Sequence, residues 1–279
     1  MNTEAAIHPA AGPFPIAEHL CRVVSNTAVN SEYRLLIVEP PASAMSVRAG
    51  QFFHLKCPYS GADRPFLRRP MSIYRIDREA GQLGFLYKVT GAGTRGLATL
   101  EAGDVLDALG PLGRGFTLPA GTRHVLMVAR GVGLATLAPL AREARASGAD
   151  VTAFLSARRP DLLMSRDELE AAGATVVEVT DTDGSSDPER LARQIAEAHG
   201  ANPFDYVATC GSNRLFRLAR ALAADWGIAG EIALEAHMGC GIGMCLACVV
   251  PVRDEQGTES YARVCIDGPV FSLAEATGW

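Results

Sequence analysis

The chain has 279 residues, of which 48% are hydrophobic and 20% charged, with a net charge of −5. That length suits two modest domains with cores of their own, and an acidic balance without any basic run of five argues against a nucleic-acid partner. Seven cysteines are neither dense nor even in number, which disfavours a disulfide framework.

Residues 1–15 combine Pro, Ala and Glu4 without a basic start, and read as a disordered tail rather than a signal peptide. Residues 16–119 then read as short strands. The first are Cys21-Arg22-Val23-Val24 and Tyr33 to Val38, followed by Gln51 to Lys56, Pro70 to Arg75 and Gly84 to Val89. Gly, Pro and Asp bound them at intervals that suggest a small antiparallel barrel. Thr94, after Gly91-Ala92-Gly93, is placed to cap a short helix.

The rhythm changes after Pro119-Ala120-Gly121. Across 120–232, apolar strands at His124–Ala129, Val151–Leu155, Thr175–Val179, Tyr206–Cys210 and Glu231–Leu234 alternate with helical stretches, the first running to about Ser147. This alternation predicts a parallel sheet with helices on both faces. The most apolar stretch, 125–141, is broken by Arg130, Gly131 and Gly133, so it fits a soluble strand, turn and helix and no membrane span. The fold class is therefore β plus α/β, with residues 233–279 forming a small C-terminal loop domain.

That last segment carries the strongest motif. Cys240, Cys245, Cys248 and Cys265 stand as C-x4-C-x2-C-x16-C, the plant-type spacing for a [2Fe–2S] cluster. Gly239, Gly241 and Gly243 allow backbone N–H groups to approach sulfur. Structural zinc is the competing use of four thiolates, but zinc knuckles favour two C-x2-C pairs and only one is present; unliganded thiols are the third. Thiolates kept reduced point to the cytoplasm.

Weaker signals precede it. Arg68-Arg69-Pro70-Met71-Ser72-Ile73 could present guanidiniums to a pyrophosphate, or could be a charged edge strand. Gly91-Ala92-Gly93-Thr94 opens a helix whose free N–H groups suit phosphate. Arg130-Gly131-Val132-Gly133 makes a tight turn toward a second pyrophosphate without being G-x-G-x-x-G. Cys210 ends the fourth parallel strand, where it either touches a nicotinamide or packs as a buried thiol.

In this order the motifs resemble the ferredoxin–NADP reductase superfamily and, more narrowly, the electron-transfer subunits of two-subunit, NAD-dependent dihydroorotate dehydrogenases. The likeness rests on 68–73, Gly110-Pro111-Leu112-Gly113-Arg114-Gly115-Phe116, 240–245 and 264–271, and covers roughly 17–272. It implies FAD beside the barrel, contacted by Arg69, Pro70, Met71 and Ser72, by Leu86, Tyr87 and Lys88, and by Gly93 and Thr94. It also implies NAD(H) at Gly131, Gly133 and Cys210, and electron exchange with an FMN-containing catalytic subunit in a heterotetramer. Proton chemistry would belong to that partner, so no general base is assigned here. Where relatives have glycine and proline, this chain has Arg130 and Thr136; Arg130 either adds a phosphate contact or narrows the approach of NAD. A free-standing reductase for an oxygenase, which usually carries a whole ferredoxin domain, and a non-catalytic redox sensor are the alternatives.

Overall fold

The computed structural model describes residues 16–254 and 256–278; the tail expected at 1–15 lies outside them. Strands β1 (Ala17–Ala28), β2 (Tyr33–Glu39), β3 (Phe52–Leu55), β4 (Arg69–Ser72), β5 (Arg75–Asp77), β6 (Gln82–Lys88) and β7 (Val105–Leu112) form one antiparallel sheet, with helix α1 (Ala92–Leu97) between the last two. Its order is β4-β3-β7-β1-β2-β6-β5. The edges are joined through the 69–77 segment. Residues 69–72 pair with β3, Ile73 N–H bonds Gln51 O, Tyr74 N–H bonds Gly84 O, and 75–77 pair with β6. One bent segment thus curls the sheet closed, so the stretch read as a single strand at 70–75 is two. Strand β7, an interior strand between β3 and β1, escaped the sequence reading.

The second unit runs β8 (His124–Arg130), α2 (Gly133–Ala146), β9 (Asp150–Ala157), α3 (Arg166–Ala171), β10 (Thr175–Thr180), α4 (Pro188–Ala201), β11 (Tyr206–Cys210), α5 (Asn213–Trp226) and β12 (Ala229–Ala233). Strands β10-β9-β8-β11-β12 are parallel in that order. The apolar runs of β8, β9 and β11 are buried on both faces, as helix-covered parallel strands require, while edge strand β10 is only partly covered. Helix α5 shows how local signals agree. The Ser212 hydroxyl accepts the Leu215 N–H at 3.2 Å, Leu215, Phe216, Ala219, Leu222 and Ala223 make the buried stripe, and Gly227 ends the helix at φ +64°. Removing that cap by Ser212→Ala should cost about 1 kcal/mol in denaturant unfolding.

The C-terminal segment differs from expectation in how it is anchored. A hairpin of β13 (Val249–Arg253) and β14 (Glu259–Arg263) is followed by β15 (Val270–Ser272), which returns to pair antiparallel with β12 as the sixth strand of the sheet. Cys248, Val264 and Cys265 share one core with Val128, Ile232 and the barrel's Phe52 and Leu112. No break in packing marks residue 233. Barrel and sheet are clamped by Glu168, buried and ion-paired to Arg75 of β5 and Arg142 of α2.

Candidate functional site

The site begins where β8 and β11 part. In the order β10-β9-β8-β11-β12 the chain winds outward in both directions from this pair, and ligands of such sheets bind beyond the strand carboxyl ends at that point. Gly131, at φ +55°, turns the chain after β8, and Gly133 lets α2 start against β11: a Cβ there would lie 2.7 Å from Cys210 backbone atoms. Cys210 is buried, and burial pushes its thiol pKa well up, so it is a neutral thiol. Its Sγ lies 3.8 Å from Thr136 Oγ1, which in turn donates to Ser72 Oγ at 2.9 Å. Barrel strand, nucleotide helix and strand end therefore meet in one short chain of side chains.

A cavity of 670 Å³ opens beside that chain, within the range for small-molecule and cofactor sites. Pro70, Met71 and Ser72 line one wall, Val132 and Thr136 another, and Leu234 to Met238 with Ala247 and Cys248 the third. Glu235 belongs to the third wall and the sequence reading missed it. Its side chain keeps contact with solvent, yet desolvation by the surrounding protein raises its carboxyl pKa. Its only sequence signal is a lone carboxylate directly after the apolar strand 231–234.

The barrel side separates the two arginines. Arg68 is spent on ion pairs with Asp107 and Glu18. Arg69 instead lies against Gly93, where a Cβ would stand 2.7 Å from Nε. The arginine strand and the glycine turn thus come together, but through one guanidinium, because successive residues of a strand face opposite ways. Thr94 is not the helix cap. Helix α1 starts at Ala92 with Gly91 as cap, and the Thr94 hydroxyl accepts the N–H groups of Thr90 and Gly91 at 2.9 and 3.1 Å.

The other three barrel positions also carry structural work. Tyr87 points into the barrel core and donates to Asn26 Oδ1 at 3.0 Å, leaving a ligand only its main chain. Leu86 packs among Tyr33, Ala135 and Ala138, and Lys88 is paired with Glu32 at 2.5 Å. In the nucleotide turn, Arg130 reaches along the strand ends, donating to Ser156 Oγ at 2.8 Å and to Asp181 at 2.6 Å; Arg214 shares Asp181 at 3.1 Å.

The cluster motif folds as its glycines require. Gly241 and Gly243 adopt φ +73° and +81°, and Leu246 is also left-handed at +57°. N–H groups of Ile242 and Cys245 point at Cys240 Sγ at 3.5 and 3.4 Å, the Cys240 N–H at Cys245 Sγ at 3.4 Å, and the Cys265 N–H at Cys248 Sγ at 3.4 Å. Among the described residues no three Cys, His, Asp or Glu gather around a single metal ion. The thiols stand as two pairs instead, Cys240 with Cys245 and Cys248 with Cys265, which fits a two-iron group better than one zinc ion. Burial opposes thiolate at Cys240, but the backbone N–H groups outweigh it and bring the pKa down to about 6; burial and its partner Cys248 push Cys265 up to about 12. Thiolates must form to bind iron, so loading the site releases protons.

The cluster-binding model of dihydroorotate dehydrogenase B, the iron–sulfur cluster binding domain, matches residues 235–276. The "Dihydroorotate dehydrogenase B (NAD(+)), electron transfer subunit" of Desulforamulus reducens is 35% identical over 238 residues, covering 84% of this chain and 88% of that protein. The chain belongs to the family of dihydroorotate dehydrogenase B electron transfer subunits. The Bacillus cereus member is 34% identical over 81% of this chain and 85% of its own length. Among solved structures, an NADH-dependent reduced ferredoxin–NADP oxidoreductase superposes with TM-score 0.76 at 26% identity, covering 92% of this chain and 89% of that one. Phthalate dioxygenase reductase, at 19% identity, shares the fold with TM-score 0.62, covering 90% of this chain and 77% of its own.

Proposed function

We propose that this subunit carries electrons between NAD(H) and an FMN-containing dihydroorotate dehydrogenase subunit, through FAD on the barrel and a [2Fe–2S] cluster on Cys240, Cys245, Cys248 and Cys265. The observation that carries this reading is that Pro70–Ser72, Thr136 and Cys248 wall one and the same cavity. FAD supplies the exchange between two-electron chemistry at NAD(H) and single electrons, and the cluster carries single electrons onward. The protein's residues bind, orient and exclude water. Residues 16–119 would hold FAD, 120–232 NAD(H) and 233–279 the cluster. Arg69 with the main chain at Gly93 and Thr94 would hold the FAD pyrophosphate. Pro70, Met71 and Ser72 would border the flavin ring, with the main chain of Leu86, Tyr87 and Lys88 alongside. Gly131 and Gly133 would admit the NAD pyrophosphate, and Cys210 would touch the nicotinamide.

Stopped-flow mixing with NADH tests the order: flavin bleaching should precede the absorbance change of the cluster. Cluster reduction with an unreduced flavin would overturn it. Arg69→Ala should weaken FAD binding by about 1.5–3 kcal/mol, roughly 10- to 150-fold in Kd, measured by fluorescence of released flavin; an unchanged Kd would remove Arg69 from the site.

NAD(H) is the nucleotide we assign. Ser156, near the end of β9, and Arg158 and Arg159, just after it, stand where a ribose 2′-phosphate could be held. Yet Ser156 is taken by Arg130, and Arg159 pairs with Asp161 at 2.8 Å. Flavin reduction should therefore be faster with NADH than with NADPH at equal concentration, and the reverse order would overturn the assignment. We assign the cytoplasm, supported by the absence of disulfides among the described residues. No described helix is long and apolar enough to cross a membrane. A heterotetramer of two such subunits with two catalytic ones is the assembly we expect.

A further inference from the structure

Strand β3 carries a histidine to which nothing above gives a task. His54 is fully buried, and neither ring nitrogen has a hydrogen-bond partner among the described residues. Phe53 faces the barrel core, so the pleat turns His54, like Phe52, to the outer side of the barrel. There the polar edge of the imidazole lies against the cluster loop. A Cβ built on Gly241 would stand 2.9 Å from Cε1, 3.0 Å from Nδ1 and 3.1 Å from Nε2. Gly241 lies between Cys240 and Ile242, whose N–H points at Cys240 Sγ. On the barrel side, His54 is in register with Pro70, which lines the central cavity. The ring therefore stands between the strand assigned to the flavin and the turn of the first cluster thiolate.

Buried polar groups are almost always paired, and an exception needs a reason. Burial, and then the charge of nearby Arg68, hold the His54 pKa down at about 4, so the ring is neutral. A neutral imidazole offers one donor and one acceptor, and both nitrogens here face the loop. We propose that His54 is a positioning residue for the cluster: it donates a ring N–H into the Cys240–Ile242 turn when the cluster is bound and so raises the cluster's reduction potential. This rests on the reading of the four cysteines as cluster ligands. On reduction the cluster gains negative charge, and an N–H aimed at its sulfur shell favours the reduced form. His54 keeps its proton throughout, and no bond to it forms or breaks. Gly241 is part of the device, since any side chain there would push the ring away.

The test uses the intact subunit, titrated anaerobically with the cluster followed by EPR. His54→Leu should keep its iron and acid-labile sulfide while the equilibrium constant for cluster reduction falls about tenfold, equivalent to about 59 mV for one electron. His54→Gln, which retains an N–H donor, should return the potential toward that of the wild type. An unchanged potential in a fully loaded His54→Leu protein overturns the proposal, as does an equal shift in both variants, which would mean packing alone. Should His54→Leu lose the cluster, wild-type protein decides. Pulsed EPR of the reduced cluster with 15N-labelled histidine should show a ring-nitrogen coupling that persists when the other histidine of the cavity wall is removed by His237→Gln; its absence overturns the proposal. Wild-type protein holding zinc, or iron without sulfide, would sink the ligand reading itself and His54's role with it.

Discussion

Cys245→Ser should yield a subunit without its cluster, with iron and acid-labile sulfide falling from about two of each per chain to a small fraction. Cys245 is the exposed member of its pair, and its own N–H points at Cys240 Sγ. Removing its sulfur takes away one of the four proposed ligands and the acceptor of the Cys240 N–H. A serine hydroxyl is a poor substitute for a terminal thiolate ligand at neutral pH, because its proton is held far more tightly. Flavin content should survive, since Arg69 and Gly93 lie in the barrel. Metal and sulfide analysis with absorbance of the purified protein checks this, and a variant retaining both at wild-type levels would remove Cys245 from the ligand set.

The second large effect concerns delivery to the partner. Ile242, Met244 and Leu246 are 39%, 80% and 61% exposed, and Phe66, beside the flavin strand, is 96% exposed. Had Ile242, Met244 and Leu246 packed inward they would have been part of the loop's own core; instead the cysteine loop presents them as apolar side chains to solvent. Such a patch marks an interface, and tunnelling needs the partner's redox centre close to the cluster. Met244→Glu sets a carboxylate into that contact, where desolvation leaves it unpaired. Central interface residues are worth about 2–4 kcal/mol, so binding should weaken roughly 30- to 700-fold. Iron, flavin and NADH-to-dye activity should be preserved while electron transfer to the catalytic subunit is lost. Transfer at the wild-type rate would place the docking surface elsewhere.

How much of this was legible beforehand depended on how loudly each residue states its surroundings. The cysteine spacing spoke directly, because iron imposes it. The parallel strands were equally plain, since burial on both faces demands an unbroken apolar run such as His124–Ala129. Strand β7 was hidden because Asp107 and Gly110 interrupt its alternation; Asp107 is there to pair with Arg68. That Arg68 and Arg69 part company was available from the pleat alone. Tyr87 and Leu86 could not be assigned faces without knowing which side of the barrel the flavin takes. The same uncertainty hid Glu235, whose role depends on β12 ending at the cavity. The return strand β15 was too short, at Val270–Ser272, to stand out.

That short return strand decides what can be cut from this chain. A reductase module ending after Leu234 would lose β15 and leave β12 as an open edge, with Ile232 and Leu234 stripped of cover. An unpaired, apolar edge strand is a template for joining another copy of itself. The shortened module should therefore precipitate or self-associate on expression, even though every residue assigned to FAD and NAD(H) is still present.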